Sequence, residues 1–315
     1  MGGGPVDTLL VMDAFGEALV VEPYLETCVI GAALLKGAQG EFARRLLVDI
    51  VSGTVRLAFA FEEKGSRFSP YGATTSVTRS VDGFVITGSK TMVVGAPAAT
   101  HLLVTASIEG EEGLGVFAIP TNDGSVTLRS GRTLDGKGVA EVEFSGCVLA
   151  ADALLVAPAE GKERVAEALD AAVAALCAEA GGVMRRLIRD TLAYLEQRSQ
   201  FGSALIGFQV LQHRLADMQV RYEQVHAMAF FAAGVLAEAP AKRSVAISAA
   251  KVFVTTALRM VAQDAVQMHG AMGVTEELAI GHLFKRATAL ESELGSIDYH
   301  LDRVIKARLP EGSLA

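Results

Sequence analysis

The stretch YLEQRSQFGSALIGFQVLQHRLADM, residues 194–218, carries the strongest pattern in this chain. Apolar residues recur at helical spacing on both sides of Gly202, which predicts one helix that stops there and another that starts near Phe208. The break leaves Arg198 and Phe201 near a helix end, where a guanidinium can fork onto a diphosphate and a ring can pack on a nucleotide. The ordinary alternative is a helix cap at Arg198 and a core position for Phe201.

A second stretch, QMHGAMGVTEE, occupies residues 267–277. Gly270 and Gly273 lie between a predicted helix end and a helix predicted to run from Thr275. Glycines at such a place let the backbone approach a phosphate closely. A simple helix–helix turn with a glycine C-cap explains the same pattern, so this stretch alone favours no function.

Composition limits the classes of protein to consider. The chain has 315 residues, is 51% hydrophobic and carries a formal charge of −8, which argues against nucleic acid as a partner but not against a nucleotide cofactor. Cys28, Cys147 and Cys177 are odd in number and lack close spacing, so we expect buried free thiols in a cytoplasmic protein. Neither a signal peptide nor an apolar run of about 18 residues is evident, so we expect no membrane partner.

Along the chain, the pattern changes twice. Residues 1–53 and 156–315 show helical periodicity, whereas residues 54–155 show short strand-like runs, with a strong hairpin signal at Asp82-Gly83. This order predicts an α+β multidomain protein with a partial N-terminal helical domain, a central antiparallel β domain and a C-terminal four-helix bundle. The predicted strands are 55–61, 74–80, 83–90, 101–107, 115–120 and 140–149.

Taken together, the R-x-x-F-G, F-Q and L-A-D-M elements, followed by Q-x-x-G-x-x-G, strongly resemble the acyl-CoA dehydrogenase family. The resemblance covers essentially the whole chain, and the helix–β–helix order agrees with that family's fold. It implies FAD bound across a dimer interface and an acyl-CoA thioester as substrate. The positions that match FAD contacts are Arg198 and Phe201 for the diphosphate-adenosine arm, Leu205, Phe208 and Gln209 near the adenine, Gln267, Gly270 and Ala271 on the other side, and Ser296 in place of a threonine.

Two flavin-ring positions depart from the family's pattern. A T-E-P-like stretch matches residues 59–67, where the threonine is missing and Glu62-Glu63 stands instead. In the run from Gly88, Met92 stands where the family has a tryptophan over the flavin, and Val94 replaces a threonine. The polarizable sulfur of Met92 can still pack on a ring.

The catalytic base of the family is absent from both places where it occurs. The resemblance assigns it to Leu294 in one arrangement and to Ala172 in the other, and neither residue can take a proton. Leu283, Leu290 and Leu294 share one helical stripe, so Leu294 is predicted to face a pocket or the core. Glu291 and Glu293 are interpreted as a solvated acidic face, with Glu293 kept as a displaced base candidate.

The start of the chain matches only the later helices of the family's N-terminal domain. Either the acyl pocket is open, a partner supplies its wall, or the start was set too far downstream. The leading hypothesis is an acyl-CoA dehydrogenase subunit whose sister chain supplies the glutamate, as in family members that handle bulky esters such as steroid side-chain thioesters. The alternatives are a non-catalytic structural or regulatory homologue, and a homo-oligomeric enzyme with a displaced base.

Overall fold

The computed structural model describes residues 3–38 and 40–308. Its packing divides the chain into a bundle unit, Met1–Val20 with Val173–Ala315, and a sheet unit, Val21–Ala172. The three domains predicted from element type, with boundaries after residues 53 and 155, remain a prediction. The helices are α1 (Pro5–Ala18), α2 (Ala32–Leu35), α3 (Glu41–Val51), α4 (Pro158–Gln197), α5 (Gln209–Gly234), α6 (Pro240–His269), α7 (Ala279–Ser292) and α8 (Ile297–Arg308).

The sheet unit is built around a twisted sheet whose strands run β6-β7-β3-β2-β4-β5-β8, with β1 beside β4. Most neighbours are antiparallel, but β1 and β2 each pair with β4 in parallel. A π-helical turn, Leu25–Gly31, leads into α2 in the same unit. The strands are β1 (Leu57–Ala60), β2 (Ser76–Ser80), β3 (Gly83–Val94), β4 (His101–Ile108), β5 (Gly115–Pro120), β6 (Val126–Arg132), β7 (Gly138–Ala150) and β8 (Leu154–Val156).

The core of the sheet unit follows from side-chain alternation along its strands. Buried and exposed residues alternate along much of β7, whereas β4 and β5 are buried on both faces. Phe84 and Phe117 meet edge to face with ring centroids 5.3 Å apart, the geometry that the ring quadrupoles favour. The predicted hairpin at Asp82-Gly83 is present, with Ser80 opposite Gly83.

Three details differ from the sequence predictions. Strand β6 was missed because it lies at the sheet edge and its residues are mostly exposed and polar, which removes the apolar alternation. Strand β8 was missed because it is only three residues long. Cys28 is exposed rather than buried, while Cys147 and Cys177 are buried, and all three are free thiols.

In the bundle unit, α1 packs against the later part of α4 through close glycine contacts. A Cβ added at Gly16 would lie 2.0 Å from the Glu179 carbonyl oxygen, and one at Gly182 would lie 1.8 Å from the Asp13 carbonyl oxygen. The Arg185 guanidinium then donates to the carboxylates of Asp13 and Glu17. The N-terminal helix is therefore an integral part of this unit.

Helix α6 is the most apolar long helix of the described chain. Together with the turn that follows it, this helix forms a segment, Pro240–Val274, that is long and apolar enough to cross a membrane, but 56% of the most apolar window of the segment is buried inside the protein, as in a core helix. Helix α7 begins at Ala279, not at Thr275 as predicted. Between α6 and α7, the backbone of 270–274 forms a 3₁₀ turn, which Gly273 permits because a Cβ there would meet the Val266 carbonyl oxygen at 2.7 Å.

Candidate functional site

The arginine–phenylalanine motif forms a small hairpin immediately after α4. Strands β9 (Ser199–Gln200) and β10 (Ser203–Ala204) pair across Phe201-Gly202, whose φ angles are 54° and 82°. The Leu205 amide donates to the Arg198 carbonyl oxygen at 2.8 Å and closes the hairpin. Phe201 is 90% exposed, so the alternative of a core position for this residue is wrong.

The hairpin lies at the same end of the bundle as the glycine motif. The Tyr194 ring stacks on His269 at a centroid distance of 4.3 Å, and the Tyr194 hydroxyl donates to the His269 carbonyl oxygen. Burial lowers the pKa of His269, which is therefore neutral and donates from Nδ1 to the Ala265 carbonyl oxygen. This contact places the start of the hairpin beside Gly270, where α6 ends in a left-handed backbone with φ 58°.

The remaining predicted adenosine-arm residues surround these two motifs. Leu205 and Phe208 are half-buried, and Phe208 meets the exposed Phe201 edge-on at 6.2 Å. Gln209 is the exposed first residue of α5, where backbone amide groups lack intrahelical acceptors. On the other side, the residues Gln267, Gly270 and Ala271 are exposed.

This arrangement fits an anionic dinucleotide. Among the described residues, the Arg198 guanidinium makes no hydrogen bond or ion pair, and nothing lies within 4 Å of a Cβ added at Gly270 or Gly202. A free guanidinium, an exposed ring and open glycine backbone are the groups that contact a diphosphate and an adenine. The alternative of Arg198 as a helix cap finds no support, because its guanidinium donates to no helix carbonyl in the part of the chain that the structure describes.

In the sheet unit, the second glutamate of the Glu62-Glu63 pair is fixed by a buried network. Its carboxylate accepts hydrogen bonds from Lys90 Nζ at 2.7 Å and from the Thr74 and Thr75 backbone amides and hydroxyls. Burial alone would raise the pKa of Glu63, but the Lys90 and Thr74 hydrogen bonds and the Lys90 charge lower it to about 2. Lys90 itself is fully buried and also donates to the Thr105 hydroxyl.

The first glutamate has a different environment. Glu62 is half-buried, and burial raises its pKa to about 7. Its carbonyl oxygen accepts from the Thr91 amide at 2.9 Å, beside a β-bulge that interrupts β3 between Lys90 and Val93. Within that bulge, Met92 has φ 51° and is 55% exposed. Bulges often turn a side chain towards a functional surface, which fits the ring position assigned to Met92.

At the first base position, the chain leaves its helix. Helix α7 ends at Ser292, and Leu294 follows with φ 58° and a partly exposed side chain, so it does not continue the buried stripe of Leu283 and Leu290. Ser296 accepts a hydrogen bond from the Tyr299 amide and thereby caps α8. Leu294 therefore does not lie on the predicted helical stripe or in the core, and the alternative that it faces a pocket stays a prediction. The second base position, Ala172, is a fully buried residue within α4.

The displaced-base candidate Glu293 is engaged in a buried ion pair. Arg286 donates from Nη1 to Glu293 at 2.7 Å and from Nε and Nη2 to Glu179 at 2.6 and 2.8 Å. The Glu293 side chain is only 11% exposed, so the predicted solvated acidic face is wrong at this residue. Glu291 is more exposed and pairs with Arg259 at 3.2 Å.

Two buried side chains that the sequence analysis missed fix the backbone around Leu294. Lys251 on α6 donates from Nζ to the carbonyl oxygens of Leu290 and Glu293 at 2.6 and 2.9 Å, and burial lowers its pKa to about 8. His300 bonds to the Leu294 carbonyl oxygen at 3.2 Å. Burial, followed by the Lys251 charge, lowers the pKa of His300 to about 3. The available signal was a lysine on the apolar stripe of α6, in line with Val254 and Leu258.

Comparison with known protein families identifies the family of this chain. Residues 58–149 match the acyl-CoA dehydrogenase middle domain, and residues 159–309 match the acyl-CoA dehydrogenase C-terminal domain. Together the two matches cover most of the chain. The chain belongs to the acyl-CoA dehydrogenase family. The predicted family, fold class and oxidoreductase activity are thereby confirmed.

Individual acyl-CoA dehydrogenase relatives extend this result. The probable acyl-CoA dehydrogenase YngJ of Bacillus subtilis (strain 168) is 25% identical, over 98% of this chain and 83% of the relative. The ChsE4-ChsE5 complex from Mycobacterium tuberculosis superimposes with a TM-score of 0.87 at 26% identity, over 98% of this chain and 82% of the matched one. Butyryl-CoA dehydrogenase from Megasphaera elsdenii gives a TM-score of 0.88 at 22% identity, covering 98% and 83%.

Membership of the acyl-CoA dehydrogenase family also indicates FAD as the cofactor. The residues that this structure brings together at one end of the bundle, Arg198, Phe201, Gln267 and Gly270, are compatible with that cofactor in charge, exposure and backbone conformation. Their individual roles, and those of the positions matching the flavin ring and the base, remain predictions.

Proposed function

We propose that this chain is one subunit of a hetero-oligomeric, FAD-dependent acyl-CoA dehydrogenase, and that a sister subunit supplies the catalytic base. The main observation that supports this proposal is Leu294, an apolar residue at the position where the family has its glutamate. Ala172, at the other base position, is equally unable to accept a proton. The reaction is the α,β-dehydrogenation of an acyl-CoA thioester, in which a carboxylate removes the α proton and bound FAD would supply the acceptor for the hydride of the β carbon.

The carboxylates near the two base positions are poor substitutes. Glu293 is bound by Arg286, and taking a proton there would break a buried ion pair whose guanidinium also serves Glu179. The Lys251 ammonium group holds the Glu293 carbonyl oxygen at 2.9 Å, so the backbone that carries this side chain is fixed as well. Near Ala172, Asp170 is buried and has an interaction of its own. These contacts favour a base from outside the chain over a displaced internal one.

The FAD assignment rests on the end of the bundle that carries the hairpin. Arg198 would bind the diphosphate, Phe201 would pack on the adenosine arm, and Gln267, Gly270 and Ala271 would form the opposite side. Leu205, Phe208 and Gln209 would lie near the adenine. Arg198 is exposed and makes no hydrogen bond or ion pair within residues 3–38 and 40–308, and Phe201 is 90% exposed, so both are available to FAD bound mainly by another subunit.

An oligomer is further supported by exposed apolar side chains on the bundle unit. Phe230 and Phe231 on α5 are 42% and 49% exposed. Phe253 and Met260 on α6 line an apolar groove with Leu301 of α8. Large exposed apolar groups that lie close together favour a protein interface over solvent. The similar ChsE4-ChsE5 structure is a complex of two differently named chains, which supports a heteromeric arrangement for this chain.

The test is co-expression with an acyl-CoA dehydrogenase chain that has the family's glutamate at the position of Leu294, taken from the same genomic neighbourhood if one is present there. Flavin absorbance and light scattering would be measured for this chain alone, the sister alone and the pair. Dehydrogenation of butyryl-CoA, palmitoyl-CoA and a steroid side-chain CoA thioester would be followed with an artificial electron acceptor. We expect a dimer-based assembly, and turnover in the pair that this chain alone lacks.

Variants of the sister chain and of this chain distinguish a base from the sister subunit, a displaced base and a non-catalytic homologue. Replacing the sister's glutamate by glutamine should reduce turnover of the pair by about 10²–10⁴-fold, the usual contribution of a positioned base. Glu293→Gln, with Glu291→Gln as its matched control, should change turnover little. Activity of the chain alone that disappears in Glu293→Gln would establish the displaced base instead. A pair without bound flavin and without turnover would support the non-catalytic homologue.

A further inference from the structure

An apolar groove of about 490 Å³ lies on the surface of the bundle unit, between α5, α6 and α8. One stripe of α6 contributes Phe253, Ala257 and Met260 to its lining, while Leu301 comes from α8 and Arg221 from α5. The side chains of Phe253, Met260 and Leu301 are 37%, 42% and 40% exposed. Apolar side chains that remain exposed together in a groove favour a contact with another protein chain. The charge in the groove indicates which chain that is.

Among the described residues that line the groove, Arg221 alone is charged. Its Nη1 atom is shielded from solvent, yet within residues 3–38 and 40–308 it has no hydrogen-bond acceptor. A guanidinium nitrogen that has lost water without gaining an acceptor is unfavourable. Asp217 lies one helical turn earlier on α5 and is exposed, and it makes no ion pair in the part of the chain that the structure describes. Opposite charges therefore lie four residues apart on one helix without meeting.

The face of α5 that carries these two charges has a symmetric pattern. At about 3.6 residues per turn, four residues share an arc of about 40° on this helix: Val210, Asp217, Arg221 and Met228. The intervals between them are seven, four and seven residues, from 210 to 217, from 217 to 221 and from 221 to 228. Two antiparallel copies of α5 about a two-fold axis midway between Asp217 and Arg221 therefore place each charge opposite its complement. The same arrangement places Val210, which is 62% exposed, opposite the half-buried Met228.

We propose that α5 forms the contact between two copies of this chain, with Asp217 bound to the partner's Arg221 and the adjoining groove covered by the second copy. Charge complementarity selects this occupant. The charge that lines the groove is positive, and the carboxylate that complements it lies on the same face of the same helix, so an identical chain supplies it. The contact is isologous, and each ion pair occurs twice. The inference deepens the proposed hetero-oligomer by placing two copies of this chain in it, and in that respect it rests on the proposed function.

Charge reversal tests this contact in the full chain, alone and co-purified with its sister subunit, by sedimentation velocity over a concentration series. Arg221→Asp and Asp217→Arg each place like charges opposite one another, so each should weaken self-association about a hundredfold or more and halve the mass of the assembly. The double variant Asp217→Arg, Arg221→Asp restores opposite charges and should return to within about tenfold of wild type. Lys242→Glu reverses one charge of the exposed pair with Glu238, which has the same four-residue spacing, and should leave self-association unchanged.

A further variant tests the groove. Met260→Glu places a charge on its exposed lining, and burying that charge should weaken self-association about tenfold or more.

Circular dichroism establishes that each variant folds, and Arg221→Gln or Asp217→Asn, with an expected loss of about tenfold, replaces a reversal that does not. Single reversals that self-associate like wild type, or a double variant that stays dissociated, would overturn the pairing of two copies. Reversals that release the sister subunit but leave self-association intact would also overturn it and would assign this face to the sister. Flavin content and turnover report on the proposed function separately, because a wild-type pair that lacks both refutes that function whatever its mass.

Discussion

The residues that match the adenosine arm and those that match the flavin ring and the base have diverged to different extents. Arg198, Phe201 and Gly270 keep the residue types of the family motif and are exposed, Arg198 directly after the end of α4 and the other two at positive φ. At the ring and base positions the residue types have changed to Glu62, Met92, Val94, Leu294 and Ala172. The positions that match the adenosine arm thus keep the family's residue types, whereas the positions that match the ring and the base lack the family's hydroxyl groups and its glutamate.

The residues that match the adenosine arm and those that match the ring and the base also differ in the contacts that fix their positions. The adenosine-arm residues depend on a short hairpin and one stacked Tyr194–His269 pair. The backbone around Leu294 and Glu62 is held by buried charges, Lys251 and Arg286 in the bundle unit and Lys90 in the sheet unit. In the proposed hetero-oligomer, this chain would complete a shared site without performing the proton transfer. Such a subunit can lose the proton-accepting residue, but it must keep the buried charges that fix the surrounding backbone.

The largest change in stability should come from removing the buried guanidinium of Arg286, which donates to Glu293 next to Leu294. Arg286→Met leaves Glu179 and Glu293 buried without the guanidinium that they share, so we expect the free energy of unfolding to fall by about 3–5 kcal/mol. The exposed pair Arg79–Glu111 offers a control, since Arg79→Met should cost no more than about 1 kcal/mol. Chemical denaturation measures both. Similar small losses in the two variants would show that buried charges do not hold this region.

The next largest effect is expected on FAD binding at Arg198. Arg198→Ala should weaken FAD retention by about tenfold to a hundredfold, because a charge-assisted hydrogen bond to phosphate contributes about 1.5–3 kcal/mol. Arg259→Ala, which removes another exposed guanidinium of the same unit, should leave FAD affinity unchanged. Equilibrium dialysis of the assembled protein gives both values. Equal retention by Arg198→Ala and wild type would remove the main support for the cofactor site.

A smaller effect is expected from pH on the sheet unit. The pKa of Glu63 is lowered to about 2 from an ordinary 4.5, so its stabilising contribution is complete above pH 4.5 and is lost as the pH falls towards 2. Between pH 5 and pH 3 we expect the free energy of unfolding to fall by on the order of 1 kcal/mol, a value that allows for solvent screening of the charges. The double variant Glu63→Gln, Lys90→Met should show a shallower acid dependence in urea titrations. An unchanged slope would mean that the network contributes no acid sensitivity.

The smallest effect is expected at Phe201 in the hairpin, where a substitution distinguishes backbone strain from FAD binding. Phe201→Gly relieves a left-handed non-glycine residue, so the unfolding free energy should stay level or rise by up to about 1 kcal/mol while FAD affinity falls. Leu19→Gly, at the left-handed C-cap of α1 with the same φ of 54°, should lack any effect on FAD. A loss of stability without a loss of FAD affinity would identify Phe201 as a purely structural residue.

Much of the fold could be predicted from the sequence because its signals are local. Helical periodicity located α4 and α6, and Asp82-Gly83 located the β2–β3 hairpin. The edge strand β6 could not be found, because a strand that buries few side chains lacks an apolar pattern. The start of α7 was placed too early, since Gly273 and the 3₁₀ turn delay the helix for reasons of packing.

The sequence by itself determined the family and the absence of a carboxylate at Leu294 and Ala172, because residue identity at a motif position does not depend on packing. Only the tertiary structure decided what the nearby charges do. It showed that Glu293 is neutralised by Arg286, that Lys251 holds the loop at Leu294, and that Glu62 and Glu63 differ in protonation. These properties depend on burial and on partners distant in sequence, and the local pattern of a single chain records neither.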